Sequence, residues 1–106
     1  MNNSNPTCVL GVDPGLMGAL AFLDARDASC IDVIDTPTIR TTKTRKEYDV
    51  TSIVDLLKEH KPAAVFIEKV GAMPGQGVTS MFRFGQGYGL LTGIVHGLSI
   101  PITHVR

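Results

Sequence analysis

The sequence predicts an α/β fold built on a mixed five-stranded sheet. Three observations lead to this fold class: three short apolar runs separated by turn residues, an amphipathic helical pattern followed by a wholly apolar run, and a long helical segment followed by one more apolar run. Three strands, helix, strand, helix, strand is an order typical of an α/β sheet with an antiparallel edge. The 106 residues suffice for one domain, which we assign to residues 8–106 after a disordered polar tail over residues 1–7.

The first three strands are predicted over residues 8–12, 18–23 and 30–34. The first ends at Asp-Pro-Gly (13–15), a turn signature, and the second ends at Asp24. Tight turns between short apolar runs indicate an antiparallel meander. The polar stretch that follows, residues 36–47, has no periodicity and is expected to be a loop.

The first helix is predicted to begin after Asp49, a capping residue, and to end before Pro62. Its apolar residues recur at helical spacing: Val50, Ile53, Val54 and Leu57. The fourth strand, residues 64–67, is apolar throughout, which predicts burial on both faces as in a parallel sheet. A second helix over about 78–98 and a fifth strand over 100–105 complete the chain.

The second helix carries glycines four residues apart, which are Gly85, Gly89, Gly93 and Gly97. Each glycine costs about 0.5–1 kcal/mol relative to alanine inside a helix. We therefore expect the stripe to lie close to another backbone, either the sheet beneath it or a helix of a second subunit. A membrane dimerisation motif is disfavoured because Arg83, Gln86 and His96 interrupt the segment.

Composition indicates a globular protein of the cytoplasm without a membrane segment. The ten basic residues balance the ten acidic ones, so any affinity for nucleic acid has to come from local patches. Cys8 and Cys30 have no CxxC spacing and are predicted to be reduced core thiols. The opening "MNNSNPT" lacks the basic and apolar regions of a signal peptide.

Two acids end predicted strands, Asp13 the first strand and Glu68 the fourth. A right-handed crossover can make these strands parallel neighbours, which brings both acids to the carboxyl edge where α/β sheets gather function. Two carboxylates there repel each other, and Mg²⁺ or Mn²⁺ removes the conflict. The alternatives are a turn-capping role for Asp13 and a surface position for Glu68.

Three segments resemble the RuvC-like Holliday junction resolvases of the ribonuclease H-like superfamily: "LGVDPGLMGALAFL" (10–23), "VFIEKV" (65–70) and "FGQGYG" (84–89). The "AMPGQG" loop (72–77) is similar to that of phage and prophage members. The resemblance implies a sheet of strand order 3-2-1-4-5, with Asp13 and Glu68 as catalytic ligands of two Mg²⁺ ions. It also implies a homodimer that cleaves branched DNA and needs no nucleotide cofactor.

The sequence departs from this family in two respects. The family has two further acids on a C-terminal helix after the fifth strand, whereas this sequence ends at Arg106, so we expect an incomplete site and an inactive chain. The family's bacterial members have an aromatic residue after the glutamate motif that stacks on unpaired bases. Gly71 takes that place here, and Met73 or Phe82 could substitute as apolar wedges.

The expected DNA contacts fall into two groups. One follows the glutamate and comprises Lys69, Gly71, Met73, Gly75 and Gln76; the other is the basic cluster Arg40, Lys43, Arg45 and Lys46. A mobile connector and a solvated loop are the respective alternatives. His96 and His104 are interpreted as ordinary histidines rather than ligands.

Two other functions compete with the nuclease. A non-catalytic DNA-binding or dimerisation module is compatible with the missing acids. A phosphotransferase of the actin and sugar-kinase type also begins with a G-x-D-x-G turn. Such enzymes need a second acid-glycine turn that is absent from this sequence, and Leu16 and Met17 replace the hydroxyl residues expected beside the phosphates.

Overall fold

A computed structural model describes residues 7–69 and 77–106 of the chain. Its elements in chain order are β1 (Cys8–Asp13), β2 (Ala19–Asp24), β3 (Cys30–Asp35), β4 (Thr38–Arg40), β5 (Lys46–Tyr48), α1 (Val50–His60), β6 (Val65–Glu68), α2 (Val78–Gly97) and β7 (Ile102–Val105). The main sheet has the order β3-β2-β1-β6-β7. β1 pairs antiparallel with β2 and parallel with β6, and β7 is parallel to β6. The predicted fold class is therefore confirmed, with β6 and β7 as the fourth and fifth strands.

The prediction that residues 36–47 form a loop was wrong. β4 and β5 form a small antiparallel hairpin in which Thr38 pairs with Tyr48 and Arg40 pairs with Lys46. Each strand has only three residues, and all but Tyr48 and Thr38 are exposed, so no alternating pattern marks them in the sequence. Tyr48 is buried and anchors the hairpin to the rest of the protein.

The first helix follows its sequence signals closely. The carboxylate of Asp49 accepts a hydrogen bond from the backbone N–H of Ser52 at 3.2 Å, which caps the helix. Lys61 takes the left-handed conformation, with φ 51°, at its C-terminal end. Ile53 and Leu57 face the core. None of the helices in the described part of the chain is both long and apolar enough to cross a membrane.

Both helices pack on one face of the sheet, where a single core joins their apolar residues to alternate residues of the strands. Its members are Cys8, Leu10, Val12, Leu20, Phe22, Tyr48, Ile53, Leu57, Val65, Ile67, Leu91 and Val95. The prediction that the fourth strand is buried on both faces was wrong. Val65 and Ile67 are buried, but Phe66 between them is 40% exposed, and Val33 of β3 is 60% exposed. No described element covers this second, open face of the sheet.

The glycine stripe of α2 does not lie against the sheet. A Cβ atom built on Gly85, Gly89, Gly93 or Gly97 would meet no described atom within 4 Å. The stripe lies on the outer side of the helix, opposite Leu91 and Val95, so the expectation that the sheet lies beneath it was wrong. The alternative, a helix of a second subunit, stays a prediction.

Two smaller expectations also need correction. Cys8 is buried, and burial raises the pKa of its thiol, but Cys30 is exposed at the start of the edge strand and is not a core thiol. Both cysteines are free. Thr7, predicted as the end of the disordered tail, accepts a hydrogen bond from the backbone N–H of Ala25 at 2.8 Å.

Candidate functional site

Asp13 and Glu68 end neighbouring parallel strands on the same face of the sheet. Val12 pairs with Ile67, and both are buried against the helices. Side chains alternate along a strand, so the next residue of each strand points to the open face. Asp13 and Glu68 are both exposed there. The two carboxylates therefore share one edge and one face of the sheet.

The turn after Asp13 is shaped by close backbone packing. The N–H of Gly18 donates to the carbonyl of Gly15 at 3.1 Å and closes the turn. A Cβ atom on Gly18 would lie 1.9 Å from the carbonyl oxygen of Asp13. Only glycine permits that approach, so Gly18 fixes the backbone that carries the Asp13 side chain.

Tyr48 supports the same turn from the hairpin. Its hydroxyl oxygen accepts a hydrogen bond from the backbone N–H of Gly15 at 2.9 Å. Its ring packs directly on α2, because a Cβ atom on Gly87 would lie 2.8 Å from Tyr48 Cε2. Burial raises the pKa of Tyr48, the hydrogen bond from Gly15 lowers it, and the charge of Asp13 raises it further. Tyr48 thus joins the Asp13 turn, the β4–β5 hairpin and the second helix.

A second tyrosine supports the Glu68 end of the site. The hydroxyl of Tyr88 donates to the backbone carbonyl of Glu68 at 3.2 Å and lies 2.6 Å from His104 Nδ1. Burial raises the pKa of Tyr88. Lys69 continues the pairing with β7, since its N–H donates to the carbonyl of Val105 at 2.5 Å. His104, interpreted from the sequence as an ordinary residue, belongs to this network.

The donor set fits a hard divalent cation. Mg²⁺ is usually held by one or two carboxylates, with waters and substrate phosphates completing its shell. Asp13 and Glu68 supply two such carboxylates on one exposed face. Within residues 7–69 and 77–106, no group of three or more His, Cys, Asp and Glu side chains is placed to hold a metal ion. The described residues therefore offer two candidate carboxylate ligands.

The predicted DNA contacts have different positions. Arg45 and Lys46 line a groove of about 580 Å³ beside the Asp13 turn, which Arg40 and Lys43 do not line. The guanidinium of Arg40 instead donates to the carbonyl of Lys43 at 2.6 Å within the hairpin. Lys69 is exposed directly after Glu68. Gly71, Met73, Gly75 and Gln76 lie outside the described residues.

Sequence reasoning missed three residues of this region, Gly18, Tyr48 and Gly87. Tyr48 follows a polar stretch and is far from both acids in the sequence. Gly87 lies between Gly85 and Gly89 but does not belong to the stripe of glycines four residues apart, so the spacing does not mark it. The signal that includes Gly87 is the resemblance of the "FGQGYG" segment to the RuvC-like resolvases.

Solved structures with the same architecture are found by comparison. A structure described as T. thermophilus RuvC in complex with Holliday junction substrate matches with a TM-score of 0.69 and 14% sequence identity, over 92% of this chain and 63% of that chain. The chain has a RuvC-like fold. A second Thermus thermophilus RuvC structure matches with a TM-score of 0.60 and 15% identity, with the same coverage.

The likeness to RuvC is one of structure. The chain spans less than two thirds of the RuvC chains that it matches. No family model matches the sequence, and no curated protein matches it. At 14–15% identity the RuvC comparison establishes the fold of this chain and not its chemistry.

Proposed function

We propose that the chain carries part of the active site of a Mg²⁺- or Mn²⁺-dependent endonuclease that resolves branched DNA, of the phage and prophage resolvase type. The observation that carries the proposal is the position of Asp13 and Glu68 on one face and at one edge of the sheet. Function in open α/β sheets gathers at this edge. The RuvC-like fold supports the proposal, because one of the similar RuvC structures is described in complex with a Holliday junction substrate.

In this proposal Asp13 and Glu68 are the residues that would hold the metal. When bound, divalent ions supply activation of water and charge stabilisation during in-line hydrolysis. Gly18 and Tyr48 fix the backbone beside Asp13, and Tyr88 holds the carbonyl of Glu68. These contacts support the backbone that carries each carboxylate, and a metal site requires ligands in fixed positions.

The proposed DNA contacts are the two groups of residues that the sequence predicts. Lys69, Gly71, Met73, Gly75 and Gln76 directly follow the glutamate, and a segment in that position can contact the strand being cut. Arg45 and Lys46 lie beside the Asp13 turn, and Arg40 and Lys43 extend the same basic surface along the hairpin. All four residues of the hairpin cluster are exposed and can reach phosphates.

A two-fold dimer is part of the proposal, since a symmetric assembly can cut two strands of a junction symmetrically. The outer face of α2 is the candidate interface. Its glycine stripe leaves room for a close approach, and the apolar residues beside the stripe are exposed: Val78 is 85% exposed and Phe82 is 70% exposed. An exposed apolar helix face of this kind favours contact with another protein surface.

Cleavage of a four-way junction tests the proposal. The assay compares residues 1–106 with a form extended at its C-terminus by an added helix that carries two acids, each with millimolar-scale Mg²⁺. We expect little cleavage by residues 1–106, because two carboxylates supply little charge and rigidity for the metal. The extended form is expected to cut, and Asp13→Asn or Glu68→Gln is expected to abolish cutting. Activity that survives both substitutions would remove these acids from the mechanism.

The second candidate is a DNA-binding or dimerisation module without catalysis. The observation that favours it is the absence of a three-ligand cluster among the described residues. Such a module would bind DNA equally well with Asp13→Asn and would show no cleavage in the extended form. The same assay therefore separates the two functions.

A further inference from the structure

The groove beside the Asp13 turn has the size and position of a binding site. It lies between the β4–β5 hairpin and the N-terminal half of α2, and it includes Gly15 and Leu16 of the turn. Its volume of about 580 Å³ lies within the range of roughly 300–1,000 Å³ that is usual for small-ligand sites. Tyr48, which lines the groove, is close enough to Asp13 for the charge of that carboxylate to raise its pKa, so a group bound here lies near Asp13.

The charge of the groove favours an anion. Three cations line it, Arg45, Lys46 and Arg83, against one carboxylate, that of Glu47. Among the described residues, none of these cations has a carboxylate within 4 Å. Cations that converge on a groove without carboxylate partners attract phosphate groups.

The floor of the groove is apolar and partly aromatic. Its apolar members are Leu16, Tyr48, Val50, Phe84 and Leu90. Phe84 lies against the turn that follows Asp13, since its Cε1 atom would be 3.9 Å from a Cβ built on Gly15. A cationic groove with an aromatic floor is the arrangement by which proteins bind single-stranded nucleic acid, with phosphates on the cations and bases stacked on the rings.

We propose that this groove binds one or two unpaired nucleotides of the DNA strand whose phosphodiester is presented to Asp13 and Glu68. A base stacks on Phe84, and the adjoining phosphates contact Lys46 and Arg83. Bases inside a duplex are already stacked and paired, so their faces do not reach an apolar floor. The groove therefore selects strands with unpaired nucleotides. The inference rests on the proposed function for the identity of the strand, but binding in the groove requires no metal.

Binding of a labelled oligothymidylate without metal, in a chelator, tests the inference. We expect Phe84→Ala to weaken binding roughly 5- to 100-fold, as loss of one stacked base does. Arg83→Ala and Lys46→Ala should each reduce the slope of log affinity against log salt by about 0.7, the value for one phosphate of a single strand. Val33→Ala on the edge strand β3 and Lys58→Ala on α1 are controls at exposed positions away from the groove, which should leave affinity and slope unchanged.

An NMR titration of the unaltered chain provides a test that does not depend on the stability of any variant. Addition of oligothymidylate should shift the backbone amide signals of Gly15, Lys46 and Gly87, and leave that of Gly93 on the outer face of α2 in place. A duplex of the same length should cause smaller shifts. Shifts of equal size with duplex, or shifts confined to other surfaces, would overturn the inference. So would groove variants that change sedimentation but not DNA binding, because the groove would then contact protein.

Failure of the groove and failure of the proposed function give different results. Asp13→Asn removes a metal ligand but no groove cation, so it should leave oligothymidylate binding intact. If oligothymidylate binding depends on Phe84 and Arg83 but the extended form does not cleave, nucleotide binding in the groove is supported and the proposed nuclease function is contradicted. If cleavage depends on Asp13 but does not change when Phe84 or Arg83 is replaced, the proposed nuclease function is supported and nucleotide binding in the groove is contradicted.

Discussion

Tyr48 Oη lies 2.9 Å from the backbone nitrogen of Gly15 and accepts its hydrogen bond. This bond links a short hairpin to the turn that follows Asp13, across 33 positions of the chain. Because Tyr48 is only 6% exposed, loss of its hydroxyl would leave the N–H of Gly15 without a partner at the edge of the core. Tyr48 is therefore expected to influence both stability and the geometry of the Asp13 turn.

The raised pKa of Tyr48 should affect how the free energy of unfolding depends on pH. Burial raises its pKa in the folded protein above the ordinary value of 10.0. The folded state therefore retains a proton that the unfolded chain releases, so this stabilisation is complete below pH 10 and is lost as the pH rises through the raised pKa. Urea unfolding at a series of alkaline pH values should show a decline that is shallower in Tyr48→Phe. Burial also raises the pKa values of Cys8 and Tyr88, so these two groups contribute to the decline in the same direction.

Two alanine substitutions on α2 should change the free energy of unfolding in opposite directions. Gly87→Ala places a methyl group 2.8 Å from the Tyr48 ring and should lower the free energy of unfolding by about 1–3 kcal/mol. Gly85→Ala meets no described atom and should raise it by about 0.5–1 kcal/mol through helix propensity. Thermal and urea unfolding measure both. Equal effects from the two substitutions would contradict the close packing of Tyr48 on Gly87.

Metal affinity should depend on the two strand-end acids. Loss of an outer-sphere partner typically costs about 10- to 100-fold in metal affinity, so removal of a direct ligand should cost at least as much. Calorimetric titration with Mn²⁺ should therefore show this loss for Asp13→Asn and for Glu68→Gln. Asp55→Asn and Glu59→Gln, on the exposed side of α1, remove the same charges elsewhere and are the controls. Equal affinity in all four variants would show that any bound ion lies elsewhere.

The outer face of α2 is expected to form the dimer. Leucine at Gly89 and Gly93 would fill the space that a close helix contact needs, so sedimentation should shift toward the monomer. A Cβ atom built on either glycine would meet no described atom within 4 Å beyond the backbone of its own helix, so the fold itself should persist in thermal melting. Thr51→Leu on the exposed side of α1 is the control for added apolar surface. Unchanged sedimentation would exclude this face as the interface.

The parts of the fold that local patterns determine could be predicted from the sequence. The meander follows from three apolar runs between turn residues, and α1 follows from Asp49, its apolar spacing and Pro62. The central position of β1 beside β6 follows from the right-handed crossover rule. The same rule predicts that Asp13 and Glu68 lie at one edge of the sheet.

Features that depend on tertiary contacts could not be predicted in this way. The β4–β5 hairpin exists because Tyr48 packs on Gly87 and bonds to Gly15, and neither contact leaves a local pattern. The exposure of Phe66 was missed because an apolar run looks the same whether one or two faces are covered. The groove combines a turn, a hairpin and a helix, so its cations and Phe84 are scattered in the sequence.

The pairing of β1 with β6 has a consequence for the order of folding. β1 and β2 are joined by a short turn, whereas Leu10 pairs with Val65 across more than half the chain. Closing that long loop costs more entropy, so the meander should form early and the Asp13–Glu68 pair should form late. A cation held by the two acids would bind only after this step and would oppose its reversal. Added Mg²⁺ should therefore slow amide hydrogen exchange in β6 and β7 more than in β3 at the far edge of the sheet.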